Sequence, residues 1–470
     1  MKKALLPLLI TIFFQCFTSG LLSKSYGFIS EIHIIGNNKT KDVIILRELP
    51  FKRGDLIDME SLESMMEQGR NNLRNLSLFN FVYVSHISDF EKDPAKYSNI
   101  EIVISVDERW YHFPLMGISL EDRNLSSWLK DLNWNKVTTD VGFKIYNMWG
   151  KNQTLTAAYI FGYNNGFRFE YSNIYLDKEG RHLLDISVSR QYSRTVNAIS
   201  LLDKPNYIKT DSVHLENAYQ GTLTYTYRPD IRVRNRFALQ YDISHIDSLV
   251  LVNNRRYWGN SELNRRAVTL IYGITFDQRD NIQYPLYGYY INCQLKGYTN
   301  SDKSIKYGQI KGDFQYYGSF SERLSLSARL QWGFSAKNVE GYIFDKAIGY
   351  DDVFLRGYEF YVADGQHYAT ISPTVRYKIM PTTIYILKFL SFLPKFNRLH
   401  LTIYGKSFFD AGYSYHKYQN SINTLSNRVL YSWGFGIDIV SYYDLTFSFD
   451  YSFNQLKEGG LFISVKKPLH

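Results

Sequence analysis

The chain has 470 residues, of which 17% are aromatic, and a formal net charge of +9. Beyond the N-terminus it holds no run of about eighteen apolar residues, which excludes helical membrane spans. The positive excess accompanies no basic helix and no base-stacking motif, so it reads as solvated lysines and arginines and not as a nucleic-acid surface.

The first segment, MKKALLPLLITIFFQCFTSG, has a basic start, an apolar centre and small residues at its end. It reads as an export signal over residues 1–20, with cleavage between 20 and 27. Cys16 falls inside it, and the flanking Phe14, Gln15 and Phe17 make a poor lipidation box. Cys293 is then the single cysteine of the mature chain, and no internal disulfide is available.

Residues 28–110 form a domain of α+β character. FISEIHIIG alternates as a strand and stops at Gly36-Asn37-Asn38. Thr40 to Leu49 and Met59 to Leu76 follow as helices, the second with Leu62, Met65, Met66, Gly69, Leu73 and Leu76 on one stripe. FVYVSHIS and IEIVISVDER close the domain as strands, giving the order β-α-α-β-β.

Residues 111–470 are all β. In LTFSFDYSF, Phe447, Phe449, Tyr451 and Phe453 alternate with Ser448, Asp450 and Ser452, and VLYSWGFGIDI repeats the pattern. About sixteen such runs lie between residues 113 and 467, many of them ten to fourteen residues long. Soluble sheets average about 5–6 residues per strand, whereas a tilted strand crosses a bilayer in about 9–11. Long strands, an even count and 40 tyrosines for interfacial girdles predict an antiparallel transmembrane barrel with its apolar face on outer-membrane lipid. Connections are short at one end, and long at the other over 120–138, 193–212, 247–263, 336–365 and 414–426. The apolar insert 381–396, bounded by Pro381 and Pro394, is too short to span as a helix. It reads as an amphipathic segment on the inner leaflet in preference to a lengthened strand pair.

The connection 336–365 is long enough to require a function. Its VFLRGYEFYVADGQ places Arg356, a permanent cation with a planar fork of donors, where a fixed carboxylate should meet it. Parity along LTIYGKSFFDAG puts Asp410 on the polar side with Thr402, Tyr404 and Lys406, which nominates it as the partner. No GxSxG elbow, phosphate-binding loop or metal-spaced histidine pair occurs, so no enzyme, cofactor or metal is expected.

These phrases carry a resemblance. EIHIIGNNKTKDVIILRELPFKRGD, LRNLSLFNFVYV and IEIVISVDER look like a POTRA domain. FDQRDNIQYPLYGYY, with Asp277, Arg279, Asp280, Pro285 and Gly288, is similar to the strand-turn-strand signature of the sixteen-stranded barrels that follow such domains. Leu355, Arg356, Gly357 and Tyr358 resemble that superfamily's in-folded loop motif, and FFDAG the strand that meets it. The resemblance, to barrel-assembly factors and two-partner secretion transporters, implies an outer-membrane barrel over 111–470 with an in-folded loop at 336–365. It also implies a periplasmic domain that receives extended client chains, and contacts with other subunits of an outer-membrane complex. The implied function is insertion of outer-membrane proteins or translocation of a polypeptide; the alternative is a passive channel or an accessory subunit. Thr374 stands where the family often carries a second acidic partner for the loop arginine, and Phe462 is the candidate C-terminal recognition aromatic.

Overall fold

The computed structural model describes residues 26–89, 98–120, 137–386, 398–417, 422–441 and 445–466. The expected export signal and Cys16 lie outside these residues. The chain divides into two compact units between Glu108 and Arg109.

In the first unit, alternating residues form β1 (Tyr26–Ile35), which ends at Gly36. Gly36 has a φ of +92°, and a Cβ there would lie 2.1 Å from the Val106 carbonyl oxygen, so the turn requires glycine. The unit continues through α1 (Asp42–Leu46), β2 (Leu56–Asp58), α2 (Met59–Asn75), β3 (Phe79–Asp89) and β4 (Ser98–Glu108). The order is therefore β-α-β-α-β-β, and β2 corrects the sequence expectation. Three residues are too few for periodicity to reveal, and their pairing is non-local, Ile57 lying opposite Gly27. The first helix is also shorter than 40–49, because beyond Leu46 the chain tightens into three-residue turns, Glu48 N donating to Ile45 O at 3.1 Å and Leu49 N to Leu46 O at 3.3 Å. Asp58 caps α2 by accepting from Glu60 N at 3.1 Å. Leu62, Met66, Gly69 and Leu73 are buried along its stripe, whereas Met65 and Leu76 sit half-buried at its margin. The sheet order is β2-β1-β4-β3, with β1 and β4 parallel, so β3 forms an outer edge. Ile29, Ile100, Ile102 and Ile104 from the sheet are fully buried.

The second unit is one sixteen-stranded antiparallel sheet. Its strands are β5 (His112–Leu120), β6 (Val137–Met148), β7 (Gln153–Gly162), β8 (Asn165–Tyr175) and β9 (His182–Ser193). A separate hairpin, β10 (Thr195–Leu201) and β11 (Lys204–Lys209), follows in a long connection. The sheet resumes with β12 (Glu216–Asp230), β13 (Val233–Ile246), β14 (Asn264–Asp277), β15 (Gly288–Asn300), β16 (Lys306–Ser319) and β17 (Leu324–Lys337). It ends with β18 (His367–Ile386), β19 (Arg398–Tyr415), β20 (Val429–Val440), β21 (Thr446–Asn454) and β22 (Gly459–Lys466). A short helix, α3 (Ser248–Asn253), lies in the connection after β13. Neither hairpin nor helix was legible in the sequence, because both are short and local.

Pairing runs without interruption from β5 to β22, each strand beside its sequence neighbour except where β12 skips the hairpin to pair with β9. No register joins β22 to β5 among the described residues. Parity holds throughout: Phe435, Ile437, Phe447 and Phe449 are exposed on one face, whereas Asp438, Ser448, Asp450 and Ser452 are buried on the other. The amphipathic reading of 381–396 is corrected over 381–386, where β18 continues and Ile386 pairs with Arg398. Register shifts around Met380 and Thr383 absorb Pro381, which has no N–H to donate. Residues 387–397 lie outside the described residues.

Candidate functional site

The connection between β17 and β18 folds against the polar face of the sheet and brings its LRGY segment to β19. Arg356 Nε donates to Asp410 Oδ2 at 2.9 Å and a terminal guanidinium nitrogen donates to Oδ1 at 2.5 Å. The Arg356 backbone N–H also donates to Oδ2, at 2.9 Å. Asp410 is 1% exposed, so its carboxylate is held by donors and not by water. The guanidinium lies 3.8 Å from the centre of the Phe408 ring, two residues earlier on the same face. The same terminal nitrogen also donates to Thr374 Oγ1 at 3.1 Å. A hydroxyl thus fills the position where the resemblance led one to look for a second acid.

The neighbouring motif residues fix the loop backbone. Leu355 is buried in a cluster with Ile348, Val353, Tyr358, Leu425 and Leu430. Gly412 of the FFDAG segment makes room for it, since a Cβ there would sit 2.9 Å from Leu355 Cδ1. Gly357 has a φ of +87°, and its carbonyl accepts from Asn454 Nδ2 at 2.8 Å. The Tyr358 hydroxyl donates to the Tyr431 carbonyl at 3.2 Å. Burial pushes the Glu359 carboxyl up to about 7, against backbone hydrogen bonds from Gly357 and Glu359 and with Asp410 and Asp450 adding to the rise. Its Oε2 is buried without a hydrogen-bond partner.

The strand-turn motif after β14 forms a second contact across the interior. Asp277 and Arg279 pair at 2.6 Å, and Asp280 Oδ1 accepts from Leu286 N at 3.1 Å and Tyr287 N at 3.2 Å. Gly288 has a φ of +104°, with the Gln278 carbonyl oxygen 2.1 Å from where a Cβ would be. Between them the turn reaches the opposite strands. Pro285 O accepts from Arg376 at 3.0 Å, and the Tyr284 hydroxyl donates to Asp438 Oδ2 at 2.9 Å. Asp438 and Asp450 each lie 2.7 Å from Lys406 Nζ. This triad went unremarked in the sequence, although parity placed all three residues inside on consecutive strands. Phe462 shares the face of its partner Asp450 and packs its ring 5.7 Å from that of Phe360 in the loop.

The external connections fasten to the same loop and to one another. Ser200 of β10 meets the Tyr350 hydroxyl at 2.8 Å and Asp364 at 3.1 Å. Asp203 in the hairpin turn accepts from Thr424 N at 2.7 Å and Leu425 N at 2.9 Å.

A sixteen-stranded sheet with an apolar outer face, a polar inner face and a latched internal loop, preceded by a small α/β unit, defines an outer-membrane barrel with a periplasmic N-terminal domain. Residues 147–460 match the Omp85 superfamily domain, and residues 28–109 match the POTRA model described as a surface antigen variable number repeat. The chain belongs to the Omp85 superfamily, and its function is assembly of outer-membrane proteins or translocation of polypeptides across the outer membrane. BamA from Haemophilus ducreyi lacking POTRA domains 1–3 is similar in structure at 14% identity, covering 93% of this chain and 83% of that one with a TM-score of 0.50. CdiB from Acinetobacter baumannii is 12% identical, covering 93% of this chain and 73% of that one with a TM-score of 0.50. CdiB from Escherichia coli is also 12% identical, covering 93% of this chain and 75% of that one with a TM-score of 0.52. At these identities the likeness is one of fold. No curated protein matches the sequence.

Proposed function

We propose that the chain acts without covalent chemistry, handing an extended client chain to the membrane by strand exchange at the two ends of its sheet. The observation that carries this reading is the pairing pattern. Every other adjacent pair in the sheet has a register, while β5 and β22 each present an outer edge without a partner among the described residues. Unpaired backbone groups are costly in lipid and seek a complementary strand. The latched loop favours this lateral route over a passive channel, because it lies against the inner face that a channel would need.

The N-terminal domain supplies the client. Its β3 is eleven residues long and is the outermost strand of the sheet among the described residues, and Tyr83 and Ile87 are exposed along it. Such an edge takes an extended chain by backbone hydrogen bonds, with shallow side-chain selection. The partners of this reading are client polypeptides, and other subunits of an outer-membrane complex that deliver them. The test uses the full chain with Cys293→Ser and cysteine pairs stepped along Leu115–Gly117 and Leu461–Ile463. Oxidative cross-linking of the end strands should abolish client insertion or secretion in reconstituted vesicles, and reductant should restore it. Full activity with the ends cross-linked would refute exchange at this seam.

A further inference from the structure

The inner face beneath the loop contains a cavity of about 260 Å³, walled by β12 to β16 and roofed by the loop residues Ile343 to Asp351. Its lining charges do not balance. Arg265, Lys296 and Lys311 come from the wall and Lys346 from the loop, against Asp242 and Asp351. Among the described residues none of the four cations lies within ion-pair distance of a carboxylate. Arg265 instead stacks 4.9 Å from Trp258, and Lys346 sits 5.7 Å from the rings of Tyr342 and Tyr350. Asp242 is already engaged, accepting from Gln220 at 3.0 Å and from Gln240 at 2.9 Å.

The register sharpens the imbalance. Lys296 pairs with Gln309 and Gln294 with Lys311, which sets the two lysines diagonally on neighbouring strands, with their Cα atoms roughly 7–8 Å apart. Ammonium groups carried on diagonal neighbours of a half-buried wall repel each other, and an anion between them relieves that repulsion. Arg265 Nε is buried on the same wall without a hydrogen-bond partner among the described residues, and the buried Tyr298 hydroxyl lies beside the same guanidinium. Burial also pushes the Lys346 ammonium below the usual lysine range, an effect that Asp351, Glu216 and Asp364 oppose without overcoming. The volume is below the ~300–1,000 Å³ typical of pockets for drug-sized ligands. It suits a compact oxyanion with its waters.

We infer that this cavity is a binding site for a small polyvalent oxyanion of the phosphate class. Among the residues that line the cavity four cations face two carboxylates, Glu216 and Asp364 acting on Lys346 from outside the lining, so the cavity wall itself favours an anionic group. Lys296 and Lys311 hold it from the wall, Arg265 and the Tyr298 hydroxyl donate to it, and Lys346 closes over it from the loop. The bound anion therefore ties the loop to β14–β16, at a point remote from the Arg356–Asp410 pair. This is independent of the seam reading.

The test uses the full chain in zwitterionic detergent, titrated with pyrophosphate at constant ionic strength, with direct calorimetry and the thermal unfolding midpoint as readouts. Saturable binding at one pyrophosphate per chain, with a raised midpoint, is expected. Lys296→Met and Lys311→Met should each weaken affinity at least tenfold, and Tyr298→Phe, which alters no charge, a few-fold. Lys144→Met, on β6, should leave it unchanged. Should the lysine variants fail to fold, the Tyr298→Phe result decides. Absence of saturable binding, or affinity unchanged in Tyr298→Phe and in every lysine variant that folds, overturns the assignment. Nanodiscs doped with phosphatidic acid form the second arm: competition with pyrophosphate would assign the ligand to lipid and overturn a soluble-anion site, whereas no competition supports it.

Discussion

Arg356 spends every kind of contact that a guanidinium has on one corner of the barrel: a two-point bond to Asp410, a hydrogen bond to Thr374 and a cation–π contact with Phe408. Lysine could supply the charge but not the fork, so Arg356→Lys should fail nearly as badly as Arg356→Ala. Breaking a buried pair strands the remaining charge at about 3–5 kcal/mol, an upper bound where the interior holds water. Arg356→Ala and Asp410→Ala should each loosen the loop, and the double variant should be no worse than either single one in unfolding experiments. Additive losses would mean that the two side chains act separately. Glu359, three residues along, gives the latch a pH dependence. Its carboxyl is raised in the folded protein, from 4.5 to about 7, so between those values the folded state holds a proton that the unfolded state has lost. Stability from this group is therefore present below about pH 4.5 and falls as pH rises through about 7. Unfolding midpoints of Glu359→Gln should lack that decline relative to the parent chain. An identical pH profile in both would remove Glu359 from the account.

For the elements, alternation alone placed nearly every strand of the barrel, because a period of two survives whichever face meets the solvent. Leu223 and Thr224 show what it means: they are consecutive on β12, with Leu223 exposed outward and Thr224 opposite Asp185 on the inner face. Leu223→Arg should cost roughly 2–4 kcal/mol near the bilayer midplane, and Thr224→Arg, with Asp185 beside it, far less. Equal losses in a liposome unfolding series would show that the faces are misassigned. The same alternation made Asp410 legible as inward and Arg356 as in need of it. It could not show that Gly412 exists to seat Leu355, or that Gly434 leaves room for Phe408, whose ring would lie 2.6 Å from a Cβ there. Those are contacts between strands and loop, set by tertiary approach and silent in local sequence. β2 and the β10–β11 hairpin escaped for the related reason that few residues carry little period. Residues 381–386 misled because an apolar stretch with a proline reads as non-strand, until bulges in a long pair absorb the proline.

The whole molecule contains two opposite solutions to burying apolar surface. The barrel turns its apolar face outward to lipid, which is how a chain of mean hydropathy −0.29 can be membrane-embedded. The N-terminal unit turns it inward, with Ile29, Ile45, Leu62, Leu73, Ile100 and Ile102 among its buried residues. A domain with its own interior and its own polar closures need not borrow stability from the barrel. Its last strand is closed by Glu108, whose carboxylate accepts from Thr40 N and Thr40 Oγ1, each at 2.7 Å, so the domain ends on a contact internal to it. The sheet buries one face under two helices, and its size places it among small domains of modest stability, in the region of 5 kcal/mol. We therefore expect residues 26–108, excised and expressed without the barrel, to be soluble and to unfold cooperatively in urea. Far-ultraviolet circular dichroism and amide exchange should give coincident transitions, with the slowest amides on β1 and β4, the central strands of the sheet. Leu73→Ala, on the buried stripe of α2, should lower the midpoint by an amount corresponding to about 2–5 kcal/mol and so bring the fragment close to unfolding. A fragment without protected amides would show that the domain is held together only by its attachment to the barrel.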